Sequence, residues 1–246
     1  MVKINQFEKK ITKEISNFIN VPIESNNIQI LSNKKYEEKK EVKIYQMKLC
    51  SIIITAPSLY DDINNKINNA RKDSRVFIDK LKDSLKLDNY KVGNKTIYLF
   101  LDPDDYKESV LESKYKIYKI EEEYKKEFEE FKSECPKKDL DEGQVSIEDP
   151  VVFGCYHRNK LVGVTSYWFW GEHIADIGVV IHPEYRKQGL GKSLVSKLCE
   201  WGINNEKINL YRHNEKNKKS HQLAISLNFQ QYLIIEEMKI FDKSSL

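Results

Sequence analysis

Between an apolar run ending at Ile181 and another opening at Leu190, the chain reads His182-Pro183-Glu184-Tyr185-Arg186-Lys187-Gln188-Gly189-Leu190-Gly191-Lys192-Ser193. Glycines at such a turn let backbone approach a ligand and take angles that other residues resist. The first N–H groups of a helix opening there have no partner within the helix. Those donors and the positive end of the helix dipole act on one anion, so the chemistry on offer is phosphate binding. Arg186, Lys187 and Lys192 add positive charge. A P-loop needs glycine five positions before Gly191-Lys192-Ser193, and that position is Arg186. A dinucleotide fingerprint needs a third glycine, and position 194 is leucine. Both readings recede, and the pattern that fits is R-x-x-G-x-G at Arg186, Gly189 and Gly191.

The segment Ile177-Gly178-Val179-Val180-Ile181 followed by that turn resembles the acyl-CoA-binding motif of the GNAT superfamily of N-acetyltransferases. A second stretch in the right order, Asn217, Ser220 and Leu227-Asn228-Phe229, is similar to the family's N-x-x-A/S helix closing in L-G-F. The resemblance covers residues 115 to 241 and is strongest from Ala175 to Phe229. It implies a sheet whose fourth and fifth strands splay apart to admit pantetheine. The backbone of Val179, Val180 and Ile181 would then pair with that arm. Arg186, Lys187, Gln188, Gly189, Leu190, Gly191, Lys192 and Ser193 would hold the pyrophosphate end, with Asn217 and Ser220 beside the arm and thiol. Acetyl-CoA is the implied co-substrate, with no metal, and the implied reaction is direct attack by an amine on the acetyl carbonyl. Two departures stand out. The position where the family often has an acidic tyrosine, seven after the asparagine, is Ala224, so no general acid is assigned. Asn228 replaces the usual glycine, and asparagine is the next best residue for a left-handed cap.

The general base expected from this resemblance is Asp176, in the strand leading into the motif, where burial would raise its pKa. Glu172 and His173 read as solvated turn residues, His182 as an exposed residue before proline, and His213 as a less favoured acid or base. Tyr211 reads as core. Tyr167-Trp168-Phe169-Trp170 puts aromatics on both faces of a strand end, where one or two would line an acceptor pocket and hold a cation. Residues 121 to 149 carry twelve acidic residues against five lysines, which reads first as a solvated face and second as an acidic rim for cationic amines.

Positioning these residues takes a sheet with helices on its faces. Strands are expected at Tyr115 to Ile120, Val151 to His157, Leu161 to Trp168 and Ile174 to Ile181, the second and third joined at Arg158-Asn159-Lys160 as a hairpin. A helix is expected from Glu121 to Cys135, then a loop through Pro136, Gly143 and Pro150. A helix from Gly189 to Ile203, a strand at Ile208 to Tyr211, a helix from Lys218 to Leu227 and strands at Phe229 to Leu233 and Ile235 to Phe241 complete it. The fold class is α/β of α+β type, with a mixed, mostly antiparallel sheet. Ahead of this, helical spacing marks residues 5 to 19, Leu59-Ile63-Ile67 and Phe77-Leu81-Leu85. Val42 to Thr55 reads as one long strand or two short ones, and Thr96 to Leu101 as another. Asp102-Pro103-Asp104-Asp105 reads as a domain edge. Two domains are expected: 1–114, an accessory α+β domain of no assigned family, and 115–246, the acetyltransferase.

Composition agrees with a globular protein. The 246 residues carry 41 Lys+Arg against 38 Asp+Glu, for a net charge of +3, and 40 % are hydrophobic. Only five of the basic residues are arginine, with no clustered basic face, which argues against nucleic acid. Met1 to Lys10 lacks a signal-peptide core and no apolar run is long enough to span a membrane, so a soluble cytoplasmic protein is expected. Cys50, Cys135, Cys155 and Cys199 show no short spacing and read as reduced, buried thiols. The expected partner is a small-molecule or peptide amine acceptor, with no nucleic acid and no membrane; a homodimer is compatible. A catalytically weak acyl-CoA-binding or regulatory module is the rival reading, resting on Ala224.

Overall fold

The structure is a computed structural model and describes residues 5–24, 27–48, 50–69, 81 and 90–240. In chain order its elements are α1 (Gln6–Ile19), β1 (Ile28–Ser32), β2 (Glu41–Met47), β3 (Ser51–Thr55), α2 (Tyr60–Asn69), β4 (Tyr90–Phe100) and β5 (Tyr115–Lys119). They continue with α3 (Lys125–Ser133), α4 (Lys137–Gly143), β6 (Val151–His157), β7 (Lys160–Trp170), β8 (Ile174–Ile181), α5 (Leu190–Asn204), β9 (Ile208–Asn214), α6 (Lys218–Ser226) and β10 (Gln230–Ile240). Among the described residues no helix is long and apolar enough to cross a membrane. All four cysteines are free and buried.

Two compact units share the chain. One takes the chain up to Tyr98, Asn214–Lys216 and the segment from Gln231; the other takes Leu99–His213 and Asn217–Gln230. The expected boundary after residue 114 falls within the segment Leu99–His213 of the second unit, and the last strand belongs to the first.

In that first unit, α1 turns Ile11 and Ile15 inward, opens on a capping box between Asn5 and Glu8, and closes on left-handed Asn20. The apolar run from Val42 resolves into two short strands, β2 and β3, paired antiparallel. β1 lies parallel to β3. Ile63 and Ile67 of α2 join Ile28, Val42, Ile44, Ile53, Leu81 and Met238 in one core. Phe77 and Leu85 lie outside the described residues. The two closing strands expected after Phe229 are one, β10, paired antiparallel with β2 from Leu233↔Met47 to Lys239↔Glu41. The split was misplaced because Leu233-Ile234-Ile235 offers none of the residues that favour a turn. The strand order in this unit is β1-β3-β2-β10-β4.

The second unit is a mixed, mostly antiparallel sheet flanked by helices. β5, β6, β7 and β8 run antiparallel in sequence, and β9 adds parallel to β8. The β6–β7 turn has both central residues left-handed, Arg158 at φ 47° and Asn159 at φ 63°, as a two-residue hairpin loop requires. On one face Phe128 and Phe131 of α3 pack with Val152, Val164 and Val180, each such side chain contributing roughly 1.5–3 kcal/mol by leaving water. On the other, Leu190, Leu194 and Leu198 of α5 are buried, and the Tyr167 hydroxyl donates to Leu198 O at 3.0 Å. The loop expected between Pro136 and Pro150 holds a helix, α4. It is seven residues long with Leu140 as its one large apolar residue, too short and too polar to show a periodicity.

Candidate active site

β8 and β9 pair at Ile174↔Ile208, Ala175↔Asn209 and Asp176↔Leu210, yet β8 continues to Ile181 and β9 to Asn214. Two parallel strands that stop pairing while both continue have diverged, and the gap opens just past Asp176. Val179, Val180 and Ile181 stay paired with Thr165, Val164 and Gly163 of β7, while their pairing toward β9 has ended.

Beyond Ile181 the chain makes a 3-10 turn at Pro183–Tyr185 and passes Lys187 at φ 60° and Gly189 at φ 82° into α5. A side chain at Gly189 would be strained by that angle, although open space surrounds its Cβ position. The first α5 bond is Ser193 N–H to Gly189 O at 3.1 Å, so the N–H groups of Leu190, Gly191 and Lys192 stand ahead of the ladder. Lys187, Gln188, Gly189 and Lys192 are exposed. Backbone donors and two lysines arranged in this way are able to hold an anion.

The side chains of four residues of the expected cofactor set are engaged within the protein. Leu190 is buried in the core. Ser193 is buried with its hydroxyl 3.3 Å from Ser109 Oγ. Arg186 donates from Nε to Ile181 O at 3.1 Å and from Nη2 to Asp139 Oδ2 at 2.6 Å, so its guanidinium is engaged by the protein itself. Gln188 accepts from the Tyr115 hydroxyl at 2.5 Å.

Asp176 sits at the root of the gap, 4 % exposed. Its Oδ2 accepts from Arg212 Nε, and Oδ1 is buried without a well-formed hydrogen bond. Burial pushes its carboxyl up to about 6, against the opposing pull of Arg212. Arg212 Nη2 also donates to Gln144 Oε1 at 2.8 Å, and its guanidinium lies 5.6 Å from the Trp170 ring centre. On β7, Ser166 and Trp168 stand opposite Gly178 and Asp176. Ser166 donates to Asp149 Oδ2 at 2.5 Å, and burial raises the Asp149 carboxyl. Trp168 is 62 % exposed, whereas Tyr167 is fully buried. The aromatic run therefore divides as its strand alternation requires.

Across the gap, Asn217 caps α6, its Oδ1 accepting from Ser220 N–H at 3.1 Å and its Nδ2 donating to Glu142 Oε2 at 2.8 Å. Tyr211 is buried, which pushes its hydroxyl up to about 12, opposed by a hydrogen bond with Ser220. His213 is buried and its Nε2 lies 3.2 Å from Nδ1 of His221. Ala224 is buried, and Asn228 takes the left-handed angle, φ 65°. His182, expected at the surface, is buried, with Nε2 3.2 Å from Glu134 Oε2; the proline after it starts the turn that folds it under.

Residues 117–229 match the model of the acetyltransferase (GNAT) family. These residues form a GNAT acetyltransferase domain. An acetyltransferase of the GNAT family from Colwellia psychrerythraea is similar in fold, with a TM-score of 0.50 at 17 % identity over 77 % of this chain and 76 % of that one. A GCN5-related N-acetyltransferase from Kribbella flavida also reaches 0.50, at 10 % identity over 67 % and 64 %. No curated protein matches the sequence. Sequence reasoning missed four polar residues of this GNAT domain, Asp139, Glu142, Gln144 and Arg212. Arg212 had a usable signal: it lies two residues beyond Leu210, on the strand face that Asp176 shares. The others lie in a segment read as loop.

Proposed function

We propose that the protein is an acetyl-CoA-dependent N-acetyltransferase that acylates an amine of a small molecule or protein in the cytoplasm. The observation that carries this reading is the divergence of β8 and β9 just past Asp176, with the anion cradle of Lys187 to Lys192 at the far end of the same strand. When bound, acetyl-CoA supplies an acetyl group activated as a thioester. Backbone groups of Val179, Val180 and Ile181 hold the arm, and a preorganised N–H among them favours negative charge on the attacked oxygen. The cradle N–H groups with Lys187 and Lys192 hold the pyrophosphate.

Asp176 takes a proton from the acceptor ammonium, directly or through water. A base is most useful when its pKa lies near the working pH, and a carboxyl near 6 is ionised at neutrality while remaining a better proton acceptor than an ordinary aspartate. Arg212 holds it in that state. Trp168, exposed beside it, offers an aromatic face to a cationic acceptor.

Thermal unfolding with acetyl-CoA, CoA or ATP tests the assignment. At 100 times its dissociation constant a true ligand adds about 2.7 kcal/mol. Stabilisation by both CoA species is the expected result, and stabilisation by ATP alone would overturn it. Thiol release over a panel of amines then tests turnover; binding with no turnover on any acceptor would leave a binding module.

A further inference from the structure

We propose that α4 is a clasp across the diverging ends of β8 and β9, and that Asp139, Glu142 and Gln144 are positioning residues which set the width of that gap. The inference rests on the reading of the gap as the cofactor arm's site.

Three polar side chains within six residues reach three separate elements. Asp139 Oδ2 accepts from Arg186 at 2.6 Å, fastening α4 to the turn that follows β8. Arg186 is itself tied to the last carbonyl of β8, Ile181 O. Glu142 Oε2 accepts from Asn217 Nδ2 at 2.8 Å, fastening the helix to the start of α6, beyond the end of β9. Gln144 Oε1 accepts from Arg212 on β9 at 2.8 Å. One anchor thus lies on the β8 side and two on the β9 side.

Between the anchors, α4 meets β8 through two glycines, Gly143 and Gly178, that leave no room for a side chain of their own. A Cβ at Gly143 would stand 2.3 Å from Val180 Cγ2 and 2.7 Å from Val179 O, and one at Gly178 would stand 2.5 Å from Gly143 O. The helix end is therefore seated on the very residues whose far edge has lost its partner strand. Two strands without mutual hydrogen bonds have no ladder to fix their separation; a bridge that touches both supplies one. Asp139 and Glu142 would have no reason to reach opposite walls if α4 merely covered the core, which Leu140 alone could do.

The test uses the full chain with Asp139→Asn, Glu142→Ala and the double variant, read by CoA affinity, by steady-state kinetics and by amide exchange of residues 137–145. A partly exposed ion pair at Asp139 and a charge-assisted hydrogen bond at Glu142 support an expected loss of about threefold in CoA affinity for each single change and about tenfold for the double. The acetyl-CoA KM should rise with them while kcat at saturating acetyl-CoA stays within about twofold, and exchange in 137–145 should quicken. Asp139→Glu, which keeps the charge, should recover most of the affinity. Unchanged CoA affinity in the double variant, with wild-type binding intact, overturns the clasp and leaves the transferase reading standing. A fall in kcat at unchanged KM overturns it too. A wild-type protein that binds no CoA overturns the transferase reading, and the clasp with it.

Discussion

At the scale of single residues, Asp176 carries the sharpest consequences. Its ionisation near pH 6 gives kcat/KM an acid limb that rises through pH 6 to a plateau. Asp176→Asn should remove that limb and lower the rate about a hundredfold or more near neutral pH. A rate–pH series on both proteins with one amine acceptor measures this, and an unchanged limb removes Asp176 from the mechanism. The same carboxyl links folding to pH. Its folded-state pKa is raised, so between about pH 4 and 6 the folded protein holds a proton that the unfolded chain has lost. This group's contribution to stability is present below pH 4 and is lost as pH rises through 6. A shift from 3.8 to about 6 corresponds to about 3 kcal/mol. Asp176→Asn should therefore gain stability relative to wild type by up to about that amount as pH goes from 4 to 7, read by urea unfolding at each pH. A constant difference between the two proteins would mean that the carboxyl does not titrate in that window.

At the scale of elements, the site depends on one strand running on after its partner has turned away, and on a short helix seated against it. Gly178→Ala should force the Gly143 carbonyl out of its seat. Overpacking of this kind costs about 1–3 kcal/mol, and differential scanning should show a lower Tm for the second unit. An unaltered Tm would show that α4 lifts at no cost. This is also the scale at which the sequence was legible and then stopped being so. β6, β7, β8 and α5 could be read to within a residue or two, because alternation and the Leu190-Leu194-Leu198 spacing record burial directly. The splay of β8 from β9 was known only through the family resemblance, since nothing in Val179 to Ile181 tells a residue whether its neighbour strand is present. α4 was invisible for a related reason. It is held by side-chain links to Arg186, Asn217 and Arg212, and long-range polar contacts leave no local period. Asp176 was found through the family resemblance and its place in the strand, but the arginine that faces it from β9 needed the register. The guanidinium of Arg186 read as a phosphate ligand, and the structure ties it to Asp139.

At the scale of the whole molecule, the first unit is completed by a strand from the far end of the chain. β10 pairs with β2 along seven registered positions and has β4 on its other side. A fragment of residues 1–114, the accessory domain expected from the extent of the family resemblance, keeps β1, β2 and β3 but loses this centre strand. It should show little protected amide structure in β2, and supplying residues 230–240 through a flexible linker should restore it. Native-like exchange protection in the bare fragment would show that β10 is dispensable.

The return of the chain also sets an order of events during synthesis. Domains ordinarily fold as they leave the ribosome, amino-terminal first, at about 5–20 residues per second. Here β2 is made early, but its neighbour begins at Gln230, after the whole of Leu99–His213 has been translated. The first unit must therefore wait, with one edge of β2 unpaired, for roughly ten seconds or more while the transferase unit is translated and can fold. An unpaired edge is a template for pairing with other chains. The charged residues along β2, Glu41 and Lys43, lie on a strand that must stay soluble through that interval, and slowing translation between Tyr98 and Gln230 lengthens its exposure.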